Sequence, residues 1–131
     1  MNNPWLCLML TKAIKKIKYE TASPHRLTLM LYNGAVQFAE RAHKAIQGGS
    51  LEDTNKYIQK VQDIIYELMT SLNEPEGGEL ARNLKNIYVY LIDRLVQANI
   101  KKNADYVEEV IRHLKELQSA WEQIGKEVSL G

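Results

Sequence analysis

Three histidines, one cysteine and two glycine pairs are the residues of this chain whose types invite a chemical reading. Glu40 and His43 have the Glu-x-x-His spacing with which helices offer a carboxylate and an imidazole to a carboxylate-bridged metal pair. Such a centre needs a second copy of the motif and two more inward glutamates. The nearest candidate, Glu109 with His113, has one residue too many between them. Both pairs read better as a histidine at the border of a helix face. His25 falls in the first turn of a helix and reads as solvated. Cys7 stands alone, which leaves neither an intrachain disulfide nor a cysteine metal cluster. It reads as a small apolar residue on a helix. Gly48-Gly49 and Gly77-Gly78 sit at turns and lack the strand that a phosphate-cradling loop requires. The sequence predicts no enzyme, no cofactor and no metal.

The elements that carry these residues are helices throughout. Thr21 to Ile46 holds the first long one, with Ser23 as cap and Pro24 in the first turn, where a missing N–H costs nothing. It has two apolar rows: Leu27, Leu31, Ala35, Phe38, Ala42, Ala45, and beside them Leu29, Tyr32, Val36, Ala39, His43, Ile46. Together they cover roughly 220° of the helix, about twice what a bundle helix needs. Ser50 caps the second helix, which runs to about Leu72. Tyr57, Ile58, Val61, Ile64, Ile65, Leu68 and Leu72 form its single narrow stripe. Asn73 to Gly78 is the clearest break in the chain. The third helix follows to about Ile100, again with two rows. Leu80, Leu84, Ile87, Leu91, Leu95 and Ala98 make the expected core row; Val89, Ile92, Val96 and Ile100 make the second, with Tyr88 on the border. Lys101-Lys-Asn103 is a polar turn with lysines placed for a helix C-terminus. The fourth helix runs from about Ala104 to Ile124 on one stripe, Val107, Val110, Ile111, Leu114, Leu117 and Trp121, with Gly125 expected to end it.

Four helices of this length with short connections predict an all-α fold, an antiparallel up-down four-helix bundle. Residues 21–131 form that bundle. Residues 1–20 form a separate N-terminal amphipathic segment, read as an additional short helix over 5–18. Its apolar face holds Leu6, Met9, Leu10, Ala13, Ile14 and Ile17, and its other face Lys12, Lys15, Lys16 and Lys18.

Composition excludes several partners. At 131 residues the chain is one domain in size, and 45% hydrophobic with 25% charged residues fits a globular protein. The formal net charge of +1 gives no case for nucleic acid. The four lysines of residues 1–18 meet no acid there, so residues 19–131 are net acidic, thirteen bases against sixteen acids. No apolar run approaches a membrane span, and Trp5 to Leu10 is too short for a signal-peptide core. Stable membrane insertion is not expected, and the chain reads as cytoplasmic.

The motifs in chain order carry a resemblance. Thr21-Ala-Ser-Pro, followed by Leu27-Thr-Leu-Met-Leu-Tyr-Asn-Gly-Ala35, resembles the opening helix of the FliS family of flagellin export chaperones. Gln62-Asp-Ile-Ile-Tyr-Glu-Leu68 is similar to that family's second helix. Gly77-Gly-Glu-Leu-Ala-Arg-Asn-Leu84 with Ile87-Tyr-Val-Tyr90 resembles its loop and third helix. Arg94-Leu-Val-Gln-Ala-Asn-Ile100 and the closing Leu117-x-x-x-Trp121 are similar to its later motifs. The departure is Trp5 to Lys18, apolar and basic where the family usually carries a short polar segment. The resemblance implies a non-enzymatic cytoplasmic chaperone. Such a chaperone binds the C-terminal segment of flagellin, prevents premature polymerisation and delivers the subunit to the flagellar type III export gate. The competing reading is a self-associating helical scaffold with no flagellin client.

The wide stripes supply the expected client-binding residues: Leu29, Tyr32 and Val36 on the first long helix, and Val89, Ile92 and Val96 on the third. The N-terminal helix, through Leu6, Met9, Leu10, Ile14 and Ile17, is expected to cap the same groove in the absence of client. It would do so in its own molecule or in a neighbour, the latter giving a homodimer through that helix.

Overall fold

A computed structural model describes residues 24–72 and 74–128. Four helices account for them: α1 (Pro24–Gln47), α2 (Leu51–Thr70), α3 (Glu74–Lys101) and α4 (Ala104–Val128). No strand occurs among the described residues. The expected N-terminal helix over 5–18 and the Ser23 cap lie outside them.

Turn chemistry sets the helix ends. The α1–α2 connection is a Schellman turn: Ser50 N–H donates to Ala45 O at 3.0 Å and Gly49 N–H to Ile46 O at 3.1 Å, with Gly49 at φ +76°. Ser50 then caps α2 as predicted, its Oγ accepting from Asp53 N–H at 3.2 Å. The α3–α4 turn repeats the motif without a glycine. Asn103 N–H reaches Ala98 O at 3.3 Å, and Lys102 takes the left-handed position at φ +51°. Lys102 Nζ also donates to Asn99 Oδ1. Two boundaries differ from expectation. Helical structure starts before the glycine pair, at Glu74, with a break at Gly78. At the other end α4 continues through Gly125 to Val128, because one glycine in a helix costs only about 1 kcal/mol relative to alanine.

The helices are arranged as a ring. α1 packs beside α2 and α4, and α3 closes the ring between the same two neighbours, less extensively. Short connections make each neighbour antiparallel, so the predicted up-down bundle is the observed fold. The core draws on all four helices, with Ala35, Ala39, Val61, Ile65, Leu91, Leu95, Val107, Val110 and Leu114 fully enclosed. Both rows of α1 contribute. The small side chains of Ala35, Ala39 and Ala42 let α1 approach its neighbours closely.

The register of α3 corrects the sequence reading. Leu80 is 66% exposed and Ile87 sits at the rim, although both were expected in the core row. Leu91, Leu95 and Ala98 face inward as expected, and Ala81 and Tyr88 join them in place of Leu80 and Ile87. Tyr88, expected at the border, is central. Its hydroxyl lies 2.5 Å from that of Tyr32, across the bundle. One phenol donates to the other, which satisfies two polar groups inside the core.

Candidate functional site

Polar side chains on the seams beside α4 bind one another. Between α1 and α4, His43 Nε2 meets Glu108 Oε2 at 3.1 Å and Lys115 Nζ meets Glu40 Oε2 at 3.4 Å. The Glu40-x-x-His43 motif is thus engaged in interhelical pairing. A shallow open cavity of about 470 Å³ beside it is lined by Glu40, His43, Lys44, Gln47, Glu108 and Ile111. Between α3 and α4, Tyr90 donates to Glu109, and His113 lies 3.8 Å from Glu109 and 3.6 Å from Glu116. Arg94 sits between the rings of Tyr90 and Tyr106, 5.3 Å and 5.0 Å from their centroids. Among the described residues no group of three or more His, Cys, Asp or Glu is placed to hold a metal.

His25 corrects its sequence reading. It is half-buried and stacks on Trp121 with ring centroids 4.9 Å apart and planes within 9°. Trp121 Nε1–H donates to the His25 carbonyl at 2.9 Å, and His25 Nε2 lies 2.6 Å from the Trp121 carbonyl. That second contact requires the proton on Nε2. The closing Leu-x-x-x-Trp motif therefore joins the end of α4 to the first turn of α1.

The seam between α2 and α3 has a different character. One polar contact across it joins two amides: Asn99 Nδ2 donates to Asn55 Oδ1 at 2.9 Å. This pair sets the register. Two turns along the antiparallel helices, Gln62 falls opposite Ile92; one further turn brings Tyr66 near Val89. The row Val89, Ile92, Val96, Ile100 runs along the α2-facing flank of α3 for about three turns. Val89 is 53% exposed, Val96 39% and Ile100 69%, with Ile92 half-buried beneath them. Across the seam Tyr66 is 50% exposed and Leu51 also stands in solvent, while Met69 packs partly against the core.

The six expected client-binding residues are therefore split. Val89, Ile92 and Val96 share one accessible ridge. Tyr32 and Val36 are closed into the core at 2% and 7% exposure and offer no surface, while Leu29 is half-buried on the opposite side of the bundle from the seam. Burial lifts the Tyr32 hydroxyl above the ordinary tyrosine range, partly offset by its bond to Tyr88. The Tyr88 hydroxyl is lifted further, by burial first and then by the neighbouring Tyr32. Both stay neutral and hydrogen-bonded, as core groups. Sequence reading missed Tyr66 and Leu51. The available signal was an apolar residue lying off the narrow α2 stripe. Leu6, Met9, Leu10, Ile14 and Ile17 lie outside the described residues.

Comparison with known proteins identifies the family. The profile of the family described as "Flagellar protein FliS" matches residues 9–128, which takes in most of the N-terminal segment that the sequence set apart. The chain is 39% identical over 111 residues to the flagellar secretion chaperone FliS of Bacillus subtilis, covering 85% of this chain and 82% of the relative. It is 36% identical over 123 residues to that of Salmonella typhimurium, covering 90% and 91%. It is 32% identical over 120 residues to that of Vibrio cholerae, covering 88% of each. With this profile match and these relatives, the chain belongs to the FliS family of flagellar secretion chaperones.

Proposed function

We propose that this chain is a cytoplasmic export chaperone. It binds the C-terminal segment of flagellin along the α2–α3 seam, keeps the subunit from polymerising early and aids its delivery to the flagellar type III export gate. The observation that carries the reading is the ridge Val89, Ile92, Val96, Ile100. A three-turn apolar row with a half-exposed tyrosine opposite is the receptor for an amphipathic helix presenting anchors at i, i+3 and i+7. A client segment that is disordered alone gains its helical order as it buries its apolar face here. No helix of the described residues is long and apolar enough to cross a membrane. The curated relatives are named as secretion chaperones.

Titration calorimetry with purified flagellin C-terminal segment tests the site. Val89 and Val96 are exposed, so Val89→Asp and Val96→Asp change stability by only about 0.5 kcal/mol. Each should weaken flagellin binding at least about tenfold, since burying one such side chain is worth about 1.5–3 kcal/mol. Ile92→Asp should weaken it further but also lower the melting temperature, because Ile92 packs on the core. If the two valine variants stay folded and bind normally, the seam is not the client surface. If the unmodified protein only self-associates and leaves flagellin alone, the client reading fails.

A further inference from the structure

The apolar arc of α3 is wide enough to face the bundle in two ways. The row Leu80, Leu84, Ile87, Leu91, Leu95, Ala98 would bury two large aliphatic side chains that stand at 66% and 36% exposure, Leu80 and Ile87. In their place the observed row encloses Ala81 and Tyr88, at 4% and 2%. Aliphatic burial alone favours the first row, because alanine contributes little area and a tyrosine brings a hydroxyl that must be satisfied. At 100° per residue the two rows differ by a rotation of about 30°. A turn of that size carries a side-chain tip, about 5–6 Å from the helix axis, through about 3 Å.

The core holds one contact that such a turn destroys. The Tyr88 hydroxyl lies 2.5 Å from that of Tyr32, and both side chains are 2% exposed. Rotation breaks this bond and strands the Tyr32 hydroxyl among the apolar side chains of the core. Other contacts of α3 follow a turn more cheaply. Asn99–Asn55 and Tyr90–Glu109 lie at the surface, where water replaces a lost partner. Arg94 meets the Tyr106 ring on a long, adjustable stem. At its start the break at Gly78 uncouples α3 from the residues before it, and α3 packs less extensively than α1 on its two neighbours.

We infer that the Tyr32–Tyr88 pair is a rotational lock, which holds α3 in the orientation that presents Val89, Ile92 and Val96 along the α2–α3 seam. Registry is the best-attested use of a buried polar contact. The inference rests on the client reading above and adds two positioning residues to it. Neither tyrosine has surface to offer a client; both act through the ridge. With α3 turned to bury Leu80 and Ile87, Val89 and Val96 point away from α2 and Ile92 rises to the rim. Tyr66 then has no apolar row opposite it, and the seam no longer matches one face of an amphipathic helix.

The full chain with Tyr32→Phe/Tyr88→Phe tests this, since it keeps both rings and removes both hydroxyls. Cysteines introduced separately at Ile92 and Asn83 report the rotation through their rates of maleimide labelling, read peptide by peptide to set Cys7 apart. In the parent, Ile92 is half-buried and Asn83 exposed. Without the hydroxyls Ile92→Cys should label at least about threefold faster and Asn83→Cys about threefold slower, as α3 populates the other orientation. The melting temperature should stay close to the parent's. Affinity for the flagellin C-terminal segment should fall at least about threefold, in proportion to the lost binding-competent fraction. Adding Leu80→Gln and Ile87→Gln removes the gain from the other row and should restore both labelling rates and flagellin affinity, a rescue that a simple packing defect does not show. Tyr32→Phe alone leaves the Tyr88 hydroxyl to seek water at the border, and should move both reporters the same way even if the double variant melts low. Unchanged labelling at both positions in both backgrounds overturns the lock. Shifted labelling with unchanged flagellin affinity overturns its positioning role. Shifted labelling in a chain whose parent never binds flagellin upholds the lock and refutes the client reading instead.

Discussion

The hydroxyl of Tyr32 on α1 lies 2.5 Å from that of Tyr88 on α3, linking diagonally opposed helices through the centre of the bundle. Both side chains are 2% exposed, so no water replaces either partner. Tyr88→Phe leaves the Tyr32 hydroxyl buried without its bond. That should cost about 1–3 kcal/mol, the desolvation cost of one orphaned polar group. Removing both hydroxyls removes the orphan. The Tyr32→Phe/Tyr88→Phe double variant should therefore be more stable than the sum of the two single variants allows, and close to the parent. Urea denaturation of all four proteins closes the cycle; additive single effects would show that the bond is not the relevant contact.

The same pair makes the fold sensitive to alkali. Both phenols are held above their ordinary range by burial, so the folded chain keeps protons that the unfolded chain releases near pH 10. A group with a raised folded pKa contributes stability that is complete below its unfolded pKa and lost as pH climbs above it. Unfolding free energy should be level with respect to these groups up to about pH 9 and fall steeply above about 10. Lysines titrate in the same range, so the measurement is a comparison. The double phenylalanine variant should show a shallower alkaline fall than the parent, and parallel curves would exclude the pair as its source.

Two adjacent glycines shape the start of α3 for different reasons. A Cβ on Gly77 would stand 2.8 Å from the Ala81 Cβ, closer than such atoms approach. Gly78 has space, but its φ of +58° with ψ of −130° lies outside every region an L-residue with a Cβ occupies comfortably. Gly78→Ala should destabilise by about 1–3 kcal/mol through backbone strain, roughly 4–11 °C in melting temperature for a chain of this size. Glu79→Ala, one residue on and exposed, is the control and should stay within about 0.5 kcal/mol. Equal melting temperatures for the two variants would mean that the break at Gly78 is not required.

Helix number, order and antiparallel packing were legible in the sequence because period and turn residues agree locally. Ser50 and Gly49 carry their own cap and turn chemistry within a few residues. The inward row of α3 was legible at Leu84, Leu91, Leu95 and Ala98 but not at its first turns. An apolar arc of roughly 220° is compatible with several inward directions, and packing against α2 and α4 selected the row through Tyr88 over the one through Leu80 and Ile87. The His25–Trp121 clasp was hidden for another reason: its partners are 96 positions apart, and no local pattern announces such a contact. Half of the candidate site was visible, as the second apolar row of α3. The α2 half rests on Tyr66 and Leu51, single apolar residues in an otherwise solvated face, where periodicity carries no weight.

The sequence of the N-terminal segment motivates a further test, although residues 5–18 lie outside the described structure. Leu6, Met9, Leu10, Ile14 and Ile17 recur at helical spacing opposite four lysines. Burial of such side chains is worth about 1.5–3 kcal/mol each, enough to offset the ordering of a short segment when an apolar receptor is near. The ridge of Val89, Val96 and Ile100 is exposed apolar surface of that kind, and it is the surface proposed above for the client helix. We propose that segment and client compete for it. A variant lacking residues 2–18 should then bind flagellin C-terminal segment several-fold tighter and, when free, bind more of an apolar reporter dye. Val89→Asp introduced into the shortened chain should remove both gains, which ties them to the seam rather than to the deletion itself. Unchanged flagellin affinity after deletion would show that the segment does not occupy the seam. Lowered affinity would show that it touches the client directly, and the competition proposal would be replaced by one of shared binding.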